Sequence, residues 1–310
     1  MKVLFLGTSE FSCPSLGTLL ASSHEVIGVV TQPDRPRGRG QKLVPSAIKY
    51  LAVEKNLPVF QPERVRDPSS LDILKSLQPE LIAVVAYGQI LSASVLSIPP
   101  RGSVNVHASL LPKYRGAAPI ARAILEGETR TGVTTILMDP GMDTGPILLA
   151  EETDLKESDT MGTLHDRLSW LGARLLVRTL DGLAKGTITP RPQDHSQATY
   201  ASKIGKEEGH INWDTPAQRL FNLLRAFDPW PGASTSWAGR TLKLFLPGLS
   251  NEKPVEGPGT VVQASGDGLR IATSHGYLLV REIQMANRPR MSVAEFIRGY
   301  PLKAGVILGA

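Results

Sequence analysis

Short apolar runs alternate with amphipathic stretches through the first half of the chain. Residues 2–6, 25–30, 81–85 and 104–107 are rich in Val, Ile and Leu without polar alternation, the pattern of strands buried on both faces. Between them, residues 13–21, 46–55 and 69–77 read as helices, the last with Leu71, Ile73 and Leu74 on one side. Strand–helix alternation predicts a largely parallel sheet with helices on both faces, whose ligands bind at the carboxyl ends of the strands. Further strands are expected at 132–138 and 147–151, a helix at 117–125 and a long helix at 161–183. The pattern then changes. Residues 187–192 are extended and proline-punctuated, a linker signature. After a helix at 215–226 come short β runs at 241–246, 259–264, 269–272 and 277–283, separated by Gly and Pro, which predict a small barrel or sandwich.

Composition narrows the class. The chain has 310 residues, 41% hydrophobic and 20% charged, values of an ordinary globular protein of two domains rather than a disordered or fibrous chain. Cys13 is the single cysteine, which excludes an intrachain disulfide and a cysteine-based zinc site, and a reducing cytoplasmic setting is expected. The apolar tract 81–96 is interrupted by Tyr87, Gly88, Gln89 and serines, too short and too polar to span a bilayer. The apolar start ends at Gly7 and is followed by Glu10, so it reads as a first strand rather than a signal peptide. Net charge is +5, with 20 basic and 19 acidic residues in 1–190 but 14 and 10 in 191–310. An excess of this size suits a polyanionic partner or simple solubility.

The turn after the first strand, Gly7-Thr8-Ser9-Glu10-Phe11-Ser12, lacks the second and third glycines of a dinucleotide fingerprint, and no phosphate-binding P-loop is present. Nicotinamide and ATPase chemistry are therefore disfavoured. Chemistry is sought instead at Asn105-Val106-His107, which ends a predicted central strand. Side chains two apart share a face, so an amide donor and an imidazole project together there. Two readings stand: a pair that only completes the strand end, or a catalytic pair. Residues 138–146, Met-Asp-Pro-Gly-Met-Asp-Thr-Gly-Pro, offer either an ordinary turn or a carboxylate to set beside His107, favouring the imidazolium and fixing its orientation.

Asn105-Val106-His107-Ala108-Ser109-Leu110-Leu111-Pro112, followed by Arg115-Gly116-Ala117-Ala118-Pro119-Ile120 and by Asp139 with Gly141-Met142-Asp143-Thr144-Gly145, resembles the 10-formyltetrahydrofolate-dependent formyltransferase family. The resemblance runs essentially end to end. It includes Thr31-Gln32-Pro33-Asp34-Arg35-Pro36 through Arg39-Gly40 and, near the other end, Asp228-Pro229-Trp230-Pro231-Gly232-Ala233. It implies a Rossmann-like α/β catalytic domain at 1–186, a linker at 187–204 and a C-terminal small β-barrel, OB-like, at 205–310 that binds tRNA. It also implies formyl transfer from 10-formyltetrahydrofolate to the α-amine of methionyl initiator tRNA, without a metal, by a monomer. The family's catalytic Asn, His and Asp fall on Asn105, His107 and Asp143. Ser109, Leu110, Leu111 and Pro112 match its folate segment, and Gln89, Ile90 and Leu91 a stretch whose backbone meets the pterin. Arg35, Arg37, Arg39 and Lys42 match its basic loop, and Lys203 and Lys206 a lysine pattern near bound tRNA. Ser9, Ser12 and Lys113-Tyr114 depart from the family pattern at loop edges. Arg281, Arg288, Arg290, Arg298 and Lys303 either extend the positive surface or are merely solvated. Trp213, Trp230 and Trp237 either stack on bases or fill the core of the small β domain.

Overall fold

The computed structural model describes residues 1–37 and 42–309 and divides into two compact units. The first takes in Met1–Pro119, Arg130–Asp154 and His165–Ala201; the second takes in Ile120–Thr129, Leu155–Leu164 and the rest of the chain from Ser202.

The first unit is built on a seven-stranded sheet. Its strands are β1 (Lys2–Gly7), β2 (Glu25–Val30), β3 (Val59–Phe60), β4 (Leu81–Val85), β5 (Ser103–His107), β6 (Arg130–Leu137) and β7 (Ile147–Asp154). Their order is β7-β6-β5-β4-β1-β2-β3. The pairs from β3 to β5 are parallel, while β6 and β7 close the other edge antiparallel. Val3 to Leu6 and Leu81 to Val85 are buried throughout, so both faces of the central strands are covered, as their unbroken apolar runs require. β7 instead alternates, as an edge strand with one solvated face does. Helices Cys13–Leu20, Ala47–Glu54 and Pro68–Ser76 connect the parallel strands. Ser46 starts the second of these, its hydroxyl accepting from the Lys49 amide at 3.2 Å. In the third, Leu74 is buried but Ile73 is 45% exposed. At 100° per residue Leu71 and Leu74 share a face and Ile73 lies across the helix from them, so its expected place beside them was wrong.

The second unit carries an antiparallel sheet formed by β8 (Ala233–Trp237), β9 (Arg240–Ser250), β10 (Val261–Ser265), β11 (Gly268–Ala272), β12 (Tyr277–Met285) and β13 (Met291–Ser292), in the order β8-β9-β12-β11-β10 with β13 on β12. One core gathers Leu242, Leu244, Val261, Ile271, Leu278 and Val280 with Leu220 and Leu224 of helix Ala217–Ala226 and Phe296 of helix Val293–Gly299. A capping box starts the latter helix: the Ser292 hydroxyl accepts from the Glu295 amide while the Glu295 carboxylate accepts from the Ser292 amide. Trp213 belongs to this core and donates its indole N–H to Thr235 Oγ1 at 3.1 Å. Trp237 packs edge-on to Phe296 and Tyr300, whereas Trp230 stays 48% exposed. No helix among the described residues is long and apolar enough to cross a membrane.

Candidate active site

β4 and β5 run parallel with Val84 level with Asn105, so the segments that leave them begin side by side at the carboxyl edge of the sheet. Asn105 and His107 share one face of β5, and Val106 between them is buried on the other. The loop 138–146 reaches this face from the opposite direction. β6 is antiparallel to β5 and sets Leu137 level with Val104, so the loop departs at the amino end of β5 and returns across the sheet. Two features hold that return. Asp139 Oδ1 accepts from the Gly141 amide at 3.0 Å and from Thr144 Oγ1 at 2.6 Å. Gly145 passes so close to β6 that a Cβ there would lie 1.9 Å from the Leu137 carbonyl oxygen.

Asp143 thereby meets both β5 side chains. Its Oδ1 accepts from Asn105 Nδ2 at 3.4 Å, and its Oδ2 accepts from the Gly116 amide at 2.9 Å and lies 3.6 Å from His107 Nδ1. The other ring nitrogen, His107 Nε2, is 2.8 Å from the Tyr114 carbonyl oxygen. A carbonyl only accepts, so Nε2 is the nitrogen that donates there, and Nδ1 is the one that faces Asp143. Ala86, Tyr114 and Asp143 all have positive φ, 46°, 60° and 54°, in the three loops that converge here. Left-handed non-glycine residues cost about 1–3 kcal/mol each and persist where surrounding contacts over-determine them, which is common at functional sites.

The remaining expected residues divide by exposure. Ser109 is fully buried; its hydroxyl donates to the Lys113 carbonyl at 2.6 Å and its own carbonyl accepts from Thr134 Oγ1 at 2.7 Å. Leu111 is buried and donates its amide to Thr134 Oγ1, leaving Leu110 and Pro112 half-buried. In the loop after β4, the Gln89 side chain turns away from the site: Oε1 accepts from the Val65 amide at 2.9 Å and Nε2 donates to the Glu63 carbonyl at 3.2 Å. Ile90 is 83% exposed, and Leu91 is buried. Gly88, at φ 83°, lets the loop lie against Gln32, whose Nε2 a Cβ would approach to 2.5 Å. Cys13 stands outside this constellation, and burial pushes its thiol pKa up, away from the reactive thiolate.

The expected cations are less uniform. Residues 35–37 and 42–44 form a two-stranded ribbon in which Arg37 is level with Lys42; Arg39 lies outside the described residues. Arg35 is exposed with its guanidinium 3.4 Å from Glu63. Lys203 and Lys206 are exposed in the second unit. Arg290 is not a free surface charge: it pairs with Asp228 at 2.9 Å and with Glu282, and lies over the Phe245 ring.

The sequence marked residues 187–204 as a linker and singled out no role for Gln193 within it. Arg191 and Ile147 exchange backbone hydrogen bonds, Thr199 accepts from the Arg115 amide, and 200–201 pairs in parallel with 115–116. No local motif marks these contacts, because an extended proline-bearing stretch looks the same whether it spans solvent or lies along a domain.

Comparison with known proteins shows the family of the chain. The Formyl transferase family matches residues 1–180, and the Formyl transferase C-terminal domain matches residues 203–301. The chain is 48% identical to the methionyl-tRNA formyltransferase of Trichlorobacter lovleyi over 99% of this chain and 96% of that one. Among solved structures, methionyl-tRNA formyltransferase from Clostridium thermocellum is similar with a TM-score of 0.58 at 15% identity, covering 92% of this chain and 99% of that one. HypX from Aquifex aeolicus in complex with tetrahydrofolic acid is similar with a TM-score of 0.66 at 18% identity, over 100% of this chain and 51% of that longer one. At these identities the two structures establish a shared fold.

Proposed function

The chain belongs to the formyl transferase family, and from that premise we propose that it transfers a formyl group from 10-formyltetrahydrofolate to the α-amine of methionyl initiator tRNA. The observation that carries this reading is the convergence of Asn105 and His107, from one strand, with Asp143, from the loop 138–146, onto one point of the sheet.

The folate reading fits the residues around that point. Exposed Ile90 offers a heterocycle an apolar face, and buried Leu91 anchors the stretch beside it. Leu110 and Pro112 line the neighbouring segment, while Ser109, Leu111 and Gln89 hold these loops in place. When bound, 10-formyltetrahydrofolate supplies the formyl group on a nitrogen that leaves as an amine. Asn105 Nδ2 has a second N–H beyond the one directed at Asp143, and it donates to the formyl oxygen as negative charge grows there. His107, pinned through Nε2, delivers a proton from Nδ1 to the folate nitrogen as its bond to the formyl carbon breaks. Asp143 orients Nδ1 and receives the proton that the attacking amine loses, which returns to Nδ1.

In this reading 1–186 carry the chemistry, 187–204 connect and 205–310 hold the tRNA, a division supported by separate family matches at 1–180 and 203–301. Arg35, Arg37, Arg39 and Lys42, together with Lys203 and Lys206, contact phosphates, and the protein works as a cytoplasmic monomer. The test supplies 10-formyltetrahydrofolate with methionyl initiator tRNA, free methionine, an amino-sugar nucleotide and buffer alone, and identifies formylated products by mass. Formylmethionyl-tRNA as the dominant product is expected. Dominant transfer to the sugar nucleotide, or release of formate, contradicts the reading.

A further inference from the structure

Arg115 is among the largest fully buried side chains, and its guanidinium is directed at neutral groups of Gln193 and His195. Its Nε and Nη2 both donate to Gln193 Oε1, at 3.1 and 2.7 Å, and Nη2 lies 3.1 Å from His195 Nδ1. The other end of the Gln193 amide, Nε2, donates to the carbonyl oxygens of Asp143 at 2.8 Å and Gly145 at 2.7 Å. A guanidinium only donates and carbonyls only accept, so this chemistry fixes which end of the amide is which. Gly116, the residue after Arg115, donates its amide to the Asp143 carboxylate. Arg115-Gly116 therefore grips Asp143 twice: at the carboxylate directly, and at the backbone through Gln193.

We propose that Gln193 is a positioning residue that sets, together with Arg115, where the Asp143 carboxylate stands relative to Asn105 and His107. The proposal rests on the reading of Asp143 as part of the reacting site. Three observations support it. Asp143 is in the left-handed region, where its own backbone preference does not hold it. The Asp143 and Gly145 carbonyls both depend on the same amide, which is 7% exposed. The buried cation on the far side polarises that amide and strengthens the N–H groups it offers to the loop. Displacement of a reacting group by about 1 Å is enough to cost about 10² in rate.

The experiment compares Gln193→Glu and Gln193→Met in the full chain. Glutamate keeps the shape and the Arg115 pair but turns an acceptor toward the two carbonyls; methionine keeps the volume and removes both sets of bonds. Formyl transfer from 10-formyltetrahydrofolate to methionyl initiator tRNA is followed alongside thermal unfolding and the amide resonance of Gly116, which reports the Asp143 carboxylate without any substrate. Both variants are expected to stay folded, to lose about 10–100-fold in kcat with each KM within about twofold, and to shift the Gly116 resonance. Wild-type kcat in both folded variants, or an unmoved Gly116 resonance, overturns the proposal. If the wild-type chain itself forms no formylmethionyl-tRNA, the functional reading fails, and the Gly116 resonance still decides whether Gln193 positions Asp143.

Discussion

At the scale of single residues, the site is defined by which atoms are already committed. His107 has one nitrogen tied to the Tyr114 carbonyl and the other aimed at Asp143, so in the proposed reaction it meets Asp143 through one atom. A second histidine behaves differently. His24 is buried with Nε2 3.1 Å from Asp181, and burial, with the nearby N-terminal ammonium, lowers its pKa more than Asp181 raises it. The unfolded chain therefore binds a proton at His24 first, near the ordinary value of about 6.5, while the folded chain resists it. Stability attributable to His24 is present above that pH and is lost as pH falls from it toward the lower folded value. Urea unfolding at a series of pH values is expected to show this acid-side decline, and His24→Gln is expected to flatten it; an unchanged slope in the variant contradicts the assignment. Of the candidate site, the sequence marked Asn105, His107 and Asp143 through compact motifs that resemble those of a known family. Gln193 was not legible, because its importance comes from two carbonyls some fifty residues away.

Secondary-structure elements were readable to the degree that burial imposes a pattern on them. The central strands appear as unbroken apolar runs because both faces are covered, and residues 81–85 match β4 residue for residue. β3 is only Val59–Phe60, and β8 reads Ala-Ser-Thr-Ser-Trp, too short or too polar to stand out. Ile73 shows the same limit within a helix, where apolar character did not imply an inward face. The direction of β6 was also invisible in its composition; because it runs antiparallel, the Asp143 loop arrives across the sheet rather than at its edge. One element offers a clean test of local physics. Gly17 lies inside helix Cys13–Leu20 with nothing within 4 Å of a built Cβ. Gly17→Ala is expected to raise stability by about 0.5–1 kcal/mol through reduced unfolded-state entropy, measured by chemical denaturation. A loss of stability would show that the helix needs glycine there.

For the whole molecule, net charge was a weak guide and placement a better one. The first 190 residues are nearly neutral, yet they hold the cluster Arg35, Arg37, Arg39 and Lys42. Placement also needs the structure, because Arg290 is consumed by Asp228 and Glu282, whereas Arg35, Lys203 and Lys206 are exposed. The Arg35 pair is a solvent-exposed one, worth little, and yields readily to a phosphate. Binding of methionyl initiator tRNA is expected to weaken with salt, with a log–log slope of about −0.7 to −0.9 per phosphate neutralised. Lys203→Ala is expected to make that slope shallower by about one contact, and a slope identical to wild type would remove Lys203 from the interface.

The central claim is that Asn105, His107 and Asp143 act together on a formyl group bound for an amine. Single-turnover formylation of methionyl initiator tRNA, with 10-formyltetrahydrofolate saturating, tests it in wild type and Asn105→Ala. The account predicts formylmethionyl-tRNA from the wild type and a rate lower by about 10²–10³ in a variant that remains folded. A variant that formylates at the wild-type rate contradicts it.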